Sequence, residues 1–296
     1  MRQKRPLISI ALCTYNGERY IQEQLVSILK QSYKNIEVII LDDCSIDRTY
    51  TLLEEFRLAD PRIKLFRNEK NIGYNQNFSK ALTLAGGEYI AIADQDDIWE
   101  KEKIELLLHG IGDNLLFYHD SVLIDEEGRL IGKKISDLHR FVKGNCSDLL
   151  LYHNCVSGHA SFFHKDLLTY CLPLPEGFYY DWWIAYTASC TGKINFTRQA
   201  LVFHRRHVHS ATGKDCSRVT RKYRIEILNH FNQYPHTPPA TKKFLGRLLE
   251  GYAELQEKKF SFKLFFFLLV NARKLFFTRK KSIFSMIKFG IKESSG

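Results

Sequence analysis

Five carboxylates stand in two short runs, Asp42-Asp43 and Asp94-Gln95-Asp96-Asp97. Each run directly follows a stretch of apolar residues, 36–41 and 89–93. Carboxylates crowded in one place repel one another unless a cation or hydrogen-bond donors sit among them. Mg²⁺ or Mn²⁺ could be held there by a few carboxylate oxygens, with phosphate oxygens and water completing its shell. Another acid, Asp181, lies in Tyr180-Asp181-Trp182-Trp183 at the predicted start of a helix, whose positive end favours the ionised form. Further on, His204, His207 and His209 surround Arg205 and Arg206. Three histidines so close invite a zinc reading, but no cysteine stands at a matching ligand spacing.

The elements that must position these groups follow from the apolar pattern. Residues 7–13, 36–41, 63–66 and 89–93 read as strands, mostly continuous apolar runs of the kind buried parallel strands require. Helical spacing fills the intervals at 18–31, at 45–58 with Ser45 as a candidate cap, and at 78–85, where Gly86-Gly87 stops it. This alternation predicts a parallel sheet covered by helices on both faces. Ligands of such sheets bind beyond the carboxyl ends of the strands, where both acidic runs and the turn Thr14-Tyr15-Asn16-Gly17 fall. After Asp97 the rhythm loosens. Residues 100–108 and 180–189 read as helices, 115–118, 122–124 and 200–204 as strands, and 125–129 as a turn between strands. From about residue 217 helical patterns dominate.

Composition narrows the function. The chain has 296 residues, with 45% hydrophobic and 26% charged, enough to bury a core. Its net charge of +10 comes from residues 258–292, which hold ten basic residues and no acid. The remainder carries 33 basic and 33 acidic residues, so the body has no positive field for nucleic acid, and no nucleic-acid partner is expected. Seven scattered cysteines with no CxxC pair suggest neither a disulfide framework nor a zinc knuckle, and fit a reducing cytosol. Residues 1–13 superficially resemble a signal peptide. The apolar part is short, contains Ser9 and lacks a small-residue cleavage pattern, so it reads as a strand. A dinucleotide dehydrogenase is excluded because the turn after the first strand has one glycine and a bulky tyrosine.

Thr14-Tyr15-Asn16, Asp42-Asp43-Cys44-Ser45-x-Asp47, Asn71-x-Gly73-x-x-x-Asn77 and Asp94-Gln95-Asp96-Asp97 share the order and spacing of family 2 glycosyltransferases with a GT-A fold. The resemblance spans roughly residues 6–210. It implies a mainly parallel Rossmann-like α/β sheet as a catalytic domain over 1–215, followed by a helical region over 216–296. It also implies a nucleotide-diphosphate sugar donor and Mg²⁺ or Mn²⁺. Carried over position by position, Thr14, Tyr15 and Asn16 border the donor, with Tyr15 near the base. Asp43 binds base or ribose, and Asn71, Gly73 and Asn77 line the nucleotide pocket. Asp94 touches the ribose with Gln95 beside it, Asp96 ligates the metal with His207, and Arg206 clamps the diphosphate. Turn and cap duty is the competing expectation for Asp42, Asp47 and Asn71.

Inverting transfer needs a carboxylate base on the face opposite the leaving diphosphate, and Asp181 is the expected base. The family often has Glu-Asp here; Tyr180-Asp181 keeps the base and drops one acceptor-binding carboxylate. Trp182 and Trp183 are expected to stack on sugar faces of the acceptor, with His159 nearby. The 94–99 and 181–183 segments look most like the rhamnosyltransferase-like branch, which makes dTDP-rhamnose the expected donor and a UDP-hexose its main competitor. Two other classes, a nucleotidyltransferase and a non-catalytic sugar-nucleotide-binding module, fit less well. The first would want a glycine- and basic-rich loop after the first strand, and the second would be expected to lack Asp96 or Asp181.

Residues 258–292 also hold nine of the 21 phenylalanines. No run of about 20 unbroken apolar residues occurs, so no membrane-spanning helix is expected. Aromatic and basic residues without acids suit an anionic membrane surface, the alternative being helices packed on the body with lysines on the wet side. The expected setting is the cytoplasmic face of a cell membrane, with a saccharide or lipid-linked acceptor in surface polysaccharide synthesis.

Overall fold

The computed structural model describes residues 5–207, 220–255, 257–280 and 282–295. His209, Cys216, Lys281 and the 215/216 boundary lie outside the described residues. The apolar runs become strands β1 (Ile8–Thr14), β2 (Ile36–Asp42), β3 (Ile63–Arg67) and β4 (Tyr89–Ala93). Helices α1 (Ile21–Leu29), α2 (Thr49–Ala59) and α3 (Tyr74–Thr83) cross between them. The following elements are β5 (Ile98–Trp99), α4 (Lys103–Ile111), β6 (Leu116–Ile124), β7 (Leu130–Lys134), β8 (Ser161–His164), α5 (Tyr180–Thr191) and β9 (Ile194–Arg205). Among the described residues one sheet contains every strand, in the order β3-β2-β1-β4-β8-β6-β9-β5 with β7 against β6.

Strands β1 to β4 pair in parallel, β8 runs antiparallel to both β4 and β6, and β9 runs parallel to β6. The carboxyl ends of β1, β2, β4, β6 and β9 therefore share one rim with the start of β8. Along β1, Ile8, Ile10 and Leu12 enter one hydrophobic cluster while Ala11 and Cys13 enter the other, as a period of two dictates. The first cluster packs under α1 and α4. The second packs under α3 and α5 and continues into the C-terminal helices through Leu264, Leu268, Leu275 and Phe276.

Four local expectations need correcting. Residues 116–124 form one strand, although His119, Asp120 and Ser121 looked like a break. These polar residues are buried and bonded: Asp120 accepts from Ser136, and Ser121 bonds His159. β8 and the short β5 were missed because four and two residues carry too little periodicity. α3 begins four residues earlier than expected. Ser45 does not cap α2; its hydroxyl donates to Asp42 and its own amide is held by the same carboxylate.

Candidate active site

Asp42 is buried, accepts from Thr14 at 3.0 Å and from Ser45, and forms an ion pair with Arg67 at 3.4 Å, so it ties the ends of β1 and β2 together. Asp43 is also buried. Its carboxylate accepts from the Asn68 amide at 2.8 Å and from the backbone N–H groups of Ile72 and Gly73 at 2.9 Å. It thereby shapes the 68–73 loop, leaving only its remaining lone pairs for a ligand. Gly73 has φ 83°, a left-handed conformation that favours glycine, and Asn71 accepts from its N–H. Asn77 is buried, with its amide committed to Leu41 and Asn68. It braces the loop from behind rather than lining it.

The turn after β1 presents Tyr15 outward. Its backbone N–H and C=O both pair with the Gln95 amide, at 2.9 and 3.1 Å. Asn16 adopts φ 48° and accepts from Ile46, and Asp47 accepts from Glu18 and Thr49. Asp47 thus serves as a turn residue. The exposed ring of Tyr15 and the 71–73 loop flank the ends of β1 and β2, where a base would lie.

The four residues after β4 go separate ways. Asp94 accepts from the Tyr180 hydroxyl, and burial raises its pKa against the pull of His204 and Lys103. Gln95 ties the Tyr15 turn. Asp96 Oδ2 lies 2.7 Å from His207 Nε2, which brings the two expected metal ligands together. Asp97 is buried; one oxygen accepts from His204 Nδ1 at 2.9 Å and from the Arg205 amide at 3.1 Å. Its other oxygen has no hydrogen-bond partner among the described residues and lies 3.8 Å from His159 Nδ1.

Ligand atoms of Asp94, Asp97, His159 and His204 all lie within 4.8 Å of one another. His159 and His204 stack with centroids 4.2 Å apart. Burial works against a charged His204, but the charge and hydrogen bond of Asp97, with Asp94 and Asp96, raise it to about 9. Burial and the neighbouring His204 push His159 down to about 3. A proton on His204 thus supplies the positive charge this acidic pair needs. Lys103 is fully buried, donates to the His159 carbonyl at 2.7 Å and lies over Trp99 at 3.6 Å; burial lowers its pKa well below the usual range.

Asp181 opens α5 beside this cluster. Burial pushes its carboxyl up to about 7, against hydrogen bonds from the Trp182 and Gly158 amides and with a contribution from Asp94. The Trp182 amide donates at 2.6 Å. Tyr180 stacks on Phe78 at 4.1 Å, and a Cβ on Gly158 would fall 2.1 Å from the Tyr180 hydroxyl, so close approach requires glycine there. Asp181 and the 94–97 turn thus meet through Asp94.

Three expectations about the acceptor side are corrected. Trp182 and Trp183 are buried, and their indole N–H groups donate to Leu150 and Cys171 carbonyls, so neither presents a face for sugar stacking. His159 is buried under Asp94 and Asp97 and bonded to Ser121, so it supports the acids rather than lining an acceptor path. Arg206 is exposed at the rim, as a clamp needs, whereas Arg205 is pinned by Glu23, the Asp96 carbonyl and the 125–126 carbonyls. The sequence reading missed Tyr180, Asp97, Lys103 and His204 as site residues. His204 sat in the histidine cluster, and Asp97 in the acidic run, but nothing local assigned them to each other.

The glycosyl transferase family 2 profile matches residues 9–170, more than half of the chain. The chain belongs to this family. A Haemophilus influenzae protein described as an uncharacterized glycosyltransferase is 28% identical over 242 residues, covering 76% of this chain and 74% of that protein. The Escherichia coli UDP-Glc:alpha-D-GlcNAc-diphosphoundecaprenol beta-1,3-glucosyltransferase WfgD is 36% identical over 131 residues, 44% of this chain and 51% of that protein. The Shigella flexneri dTDP-rhamnosyl transferase RfbG is 42% identical over 99 residues, 32% of this chain and 34% of that protein. The matched segments thus span about half of WfgD and a third of RfbG. Among solved structures, S. aureus TarS 1-349 in complex with UDP-GlcNAc aligns with TM-score 0.65 and 19% identity, over 92% of this chain and 82% of that one. A mannosyltransferase from Pyrobaculum calidifontis in complex with GDP-Man and Mn²⁺ aligns with TM-score 0.54 and 17% identity, over 97% and 80%. These likenesses establish the GT-A fold.

Proposed function

We propose that the protein transfers a sugar, with inversion, from a nucleotide-diphosphate donor to a saccharide or lipid-linked acceptor in surface polysaccharide synthesis. One observation carries this reading: the Asp181 carboxylate, at the start of α5, stands beside the acidic turn at the rim, to which Tyr180 is tied through Asp94, and burial raises its pKa to about 7. In the proposed reaction Asp181 takes the proton of the acceptor hydroxyl as that oxygen attacks the sugar carbon. A base with a pKa near the working pH combines ionisation with proton affinity. Tyr15 and the Asn71–Gly73 loop receive the nucleotide, Asp94 the ribose, and Arg206 a diphosphate oxygen.

The residues fit a divalent cation at Asp96 and His207, since a carboxylate and an imidazole already stand within bonding reach at the rim. A bound Mg²⁺ or Mn²⁺ would offset the charge gathering on the departing diphosphate. His204 and Lys103 lie behind Asp94 and keep its carboxylate from facing Asp97 unbalanced.

For the donor, dTDP-rhamnose is the preferred reading, supported by the 94–99 and 181–183 segments and by the likeness to RfbG; the likeness to WfgD supports UDP-glucose or a related UDP-hexose. Residues 1–215 are proposed as the catalytic unit and 216–296 as a helical extension that shares its core, at the inner face of a cell membrane. The test is a screen of nucleotide sugars for thermal stabilisation with and without Mn²⁺. A true donor at about 100 times its Kd adds about 2.7 kcal/mol. A screen in which no nucleotide sugar shifts the melting temperature would refute the reading.

A further inference from the structure

Helices α6 (Arg221–Gln233), α7 (Pro239–Glu254), α8 (Phe262–Val270) and α9 (Ile283–Glu293) cover one side of the body. The last two are firmly seated. Leu264 and Leu268 of α8 are buried, Lys274 pairs with Asp148 at 2.8 Å, and Arg221 donates to the carbonyls of Lys292 and Ser295. The two expectations for the tail, packing on the body and a surface-seeking face, therefore do not exclude each other. The inner faces are used by the fold, and the outer faces remain.

What remains outside is apolar. Val270 is 81% exposed, Phe284 80%, Phe262 69%, and Phe266 and Ile283 57% each. Phe262, Phe266 and Val270 recur every four residues and so share one side of α8. α8 and α9 run antiparallel: Phe260 bridges Ser295, and Gly290 faces the Phe265 ring, which a Cβ at that position would meet at 3.8 Å. The end of α8 carrying Val270 therefore lies toward the start of α9 carrying Ile283 and Phe284. Large apolar side chains gathered this way mark an interaction surface.

The charge around them selects the occupant. Lys259, Lys263, Arg273, Lys280, Lys288 and Lys292 are all exposed, and of these Lys263 pairs with Glu250 of α7 at 2.7 Å. The single acid in 258–295 is Glu293, which is buried and accepts from Arg224 at 3.0 Å and Tyr252 at 2.9 Å. A second copy seated on this face would set lysines against lysines. A bilayer with anionic headgroups accepts both the apolar side chains and the cations.

We propose that the outer face of α8 and α9, led by Phe262, Phe266, Val270, Ile283 and Phe284, docks on an anionic lipid bilayer as a folded part of the enzyme. This deepens the peripheral location proposed above and rests on it only for the choice of membrane; binding needs neither donor nor turnover. The aromatic side chains reach the boundary between headgroups and acyl chains, and the lysines contact the headgroups. A lipid-linked acceptor would then be met at the surface where the enzyme already sits.

The test is cosedimentation of the full chain with vesicles of phosphatidylcholine alone and with phosphatidylglycerol added. Binding is expected only to the second, and high salt should weaken it. The triple variant F262S/F266S/F284S should lose at least roughly tenfold in partitioning, with its melting temperature and donor-induced stabilisation unchanged. K280Q and K288Q should each lose roughly fivefold. Failure of the wild type to bind anionic vesicles would overturn the proposal, as would a triple variant that binds like the wild type. So would a dimer of the wild type that the triple variant abolishes, because a second copy would then be the occupant. Loss of vesicle binding with donor binding retained separates this idea from the reading of the active site.

Discussion

The 94–97 turn and the 180–183 helix start are both runs of four residues, and both reach the same rim. In the turn, successive side chains leave in different directions: Asp94 to Tyr180, Gln95 to the Tyr15 backbone, Asp96 to His207 and Asp97 to His204. At the helix start three of the four are buried: both tryptophans turn into the core, Tyr180 reaches the rim only through its hydroxyl on Asp94, and Asp181 stands beside it. A turn has no shared packing face, so each polar residue can serve a different neighbour. A helix end set in the core must bury whatever its neighbours enclose, and α5 is apolar on nearly every side. Polar contacts in the first region are spread over four side chains, while in the second they are confined to Tyr180 and Asp181.

That contrast can be broken most directly at Asp181. Asp181→Asn should lower kcat for transfer by about 10²–10⁴-fold with the donor Kd unchanged. An asparagine variant that still transfers sugar would place the base elsewhere. Trp183→Ala should cost about 3–5 kcal/mol of stability, read by denaturant unfolding, because it empties a packed site. If the melting temperature held and only the acceptor KM rose, Trp183 would be a sugar platform after all. Asp96→Ala should remove the Mn²⁺-dependent part of donor stabilisation, which is at most the total of about 2.7 kcal/mol expected at 100 times Kd, while leaving the apo protein's unfolding midpoint nearly unchanged. Equal donor shifts with and without Mn²⁺ in the wild type would remove the metal from Asp96.

The smallest effect is in pH. Transfer should rise tenfold per pH unit up to about 7 and then level, as Asp181 ionises. For folding the sign is opposite. A carboxyl held near 7 in the folded chain and near 4 when unfolded binds more protons when folded, so its contribution to stability falls between those values as pH rises. Asp181→Asn should therefore flatten that slope. His204 behaves in the reverse sense: its raised value gives stability that is full below about 6.5 and fades as pH rises through about 9. A rate profile with no acid limb near 7 would detach Asp181 from the reaction.

Local patterns carried much of this protein. Apolar runs of five to seven residues that alternate with helical patterns fit buried parallel strands, and acids directly after such strands emerge at the carboxyl rim, so residues 7–97 placed β1 to β4 and both acidic turns without a structure. Asp96 and His207 were paired through family resemblance, and the fold does set them 2.7 Å apart. Where the pattern mixed polar residues into a buried strand, as at 119–121, the reading broke, because their partners Ser136 and His159 are distant in the chain.

What the sequence determined by itself was therefore the order of strands and helices and the chemical types available at the rim, since both depend on neighbours a few residues away. Tertiary structure alone decided which of those groups act together. Asp97 and His204 are 107 residues apart and share a hydrogen bond. Asp181 owes its raised pKa to burial against other elements, and the tryptophans beside it are core for the same reason. Burial and long-range pairing are properties of the packed molecule, so no local reading of spacing could supply them.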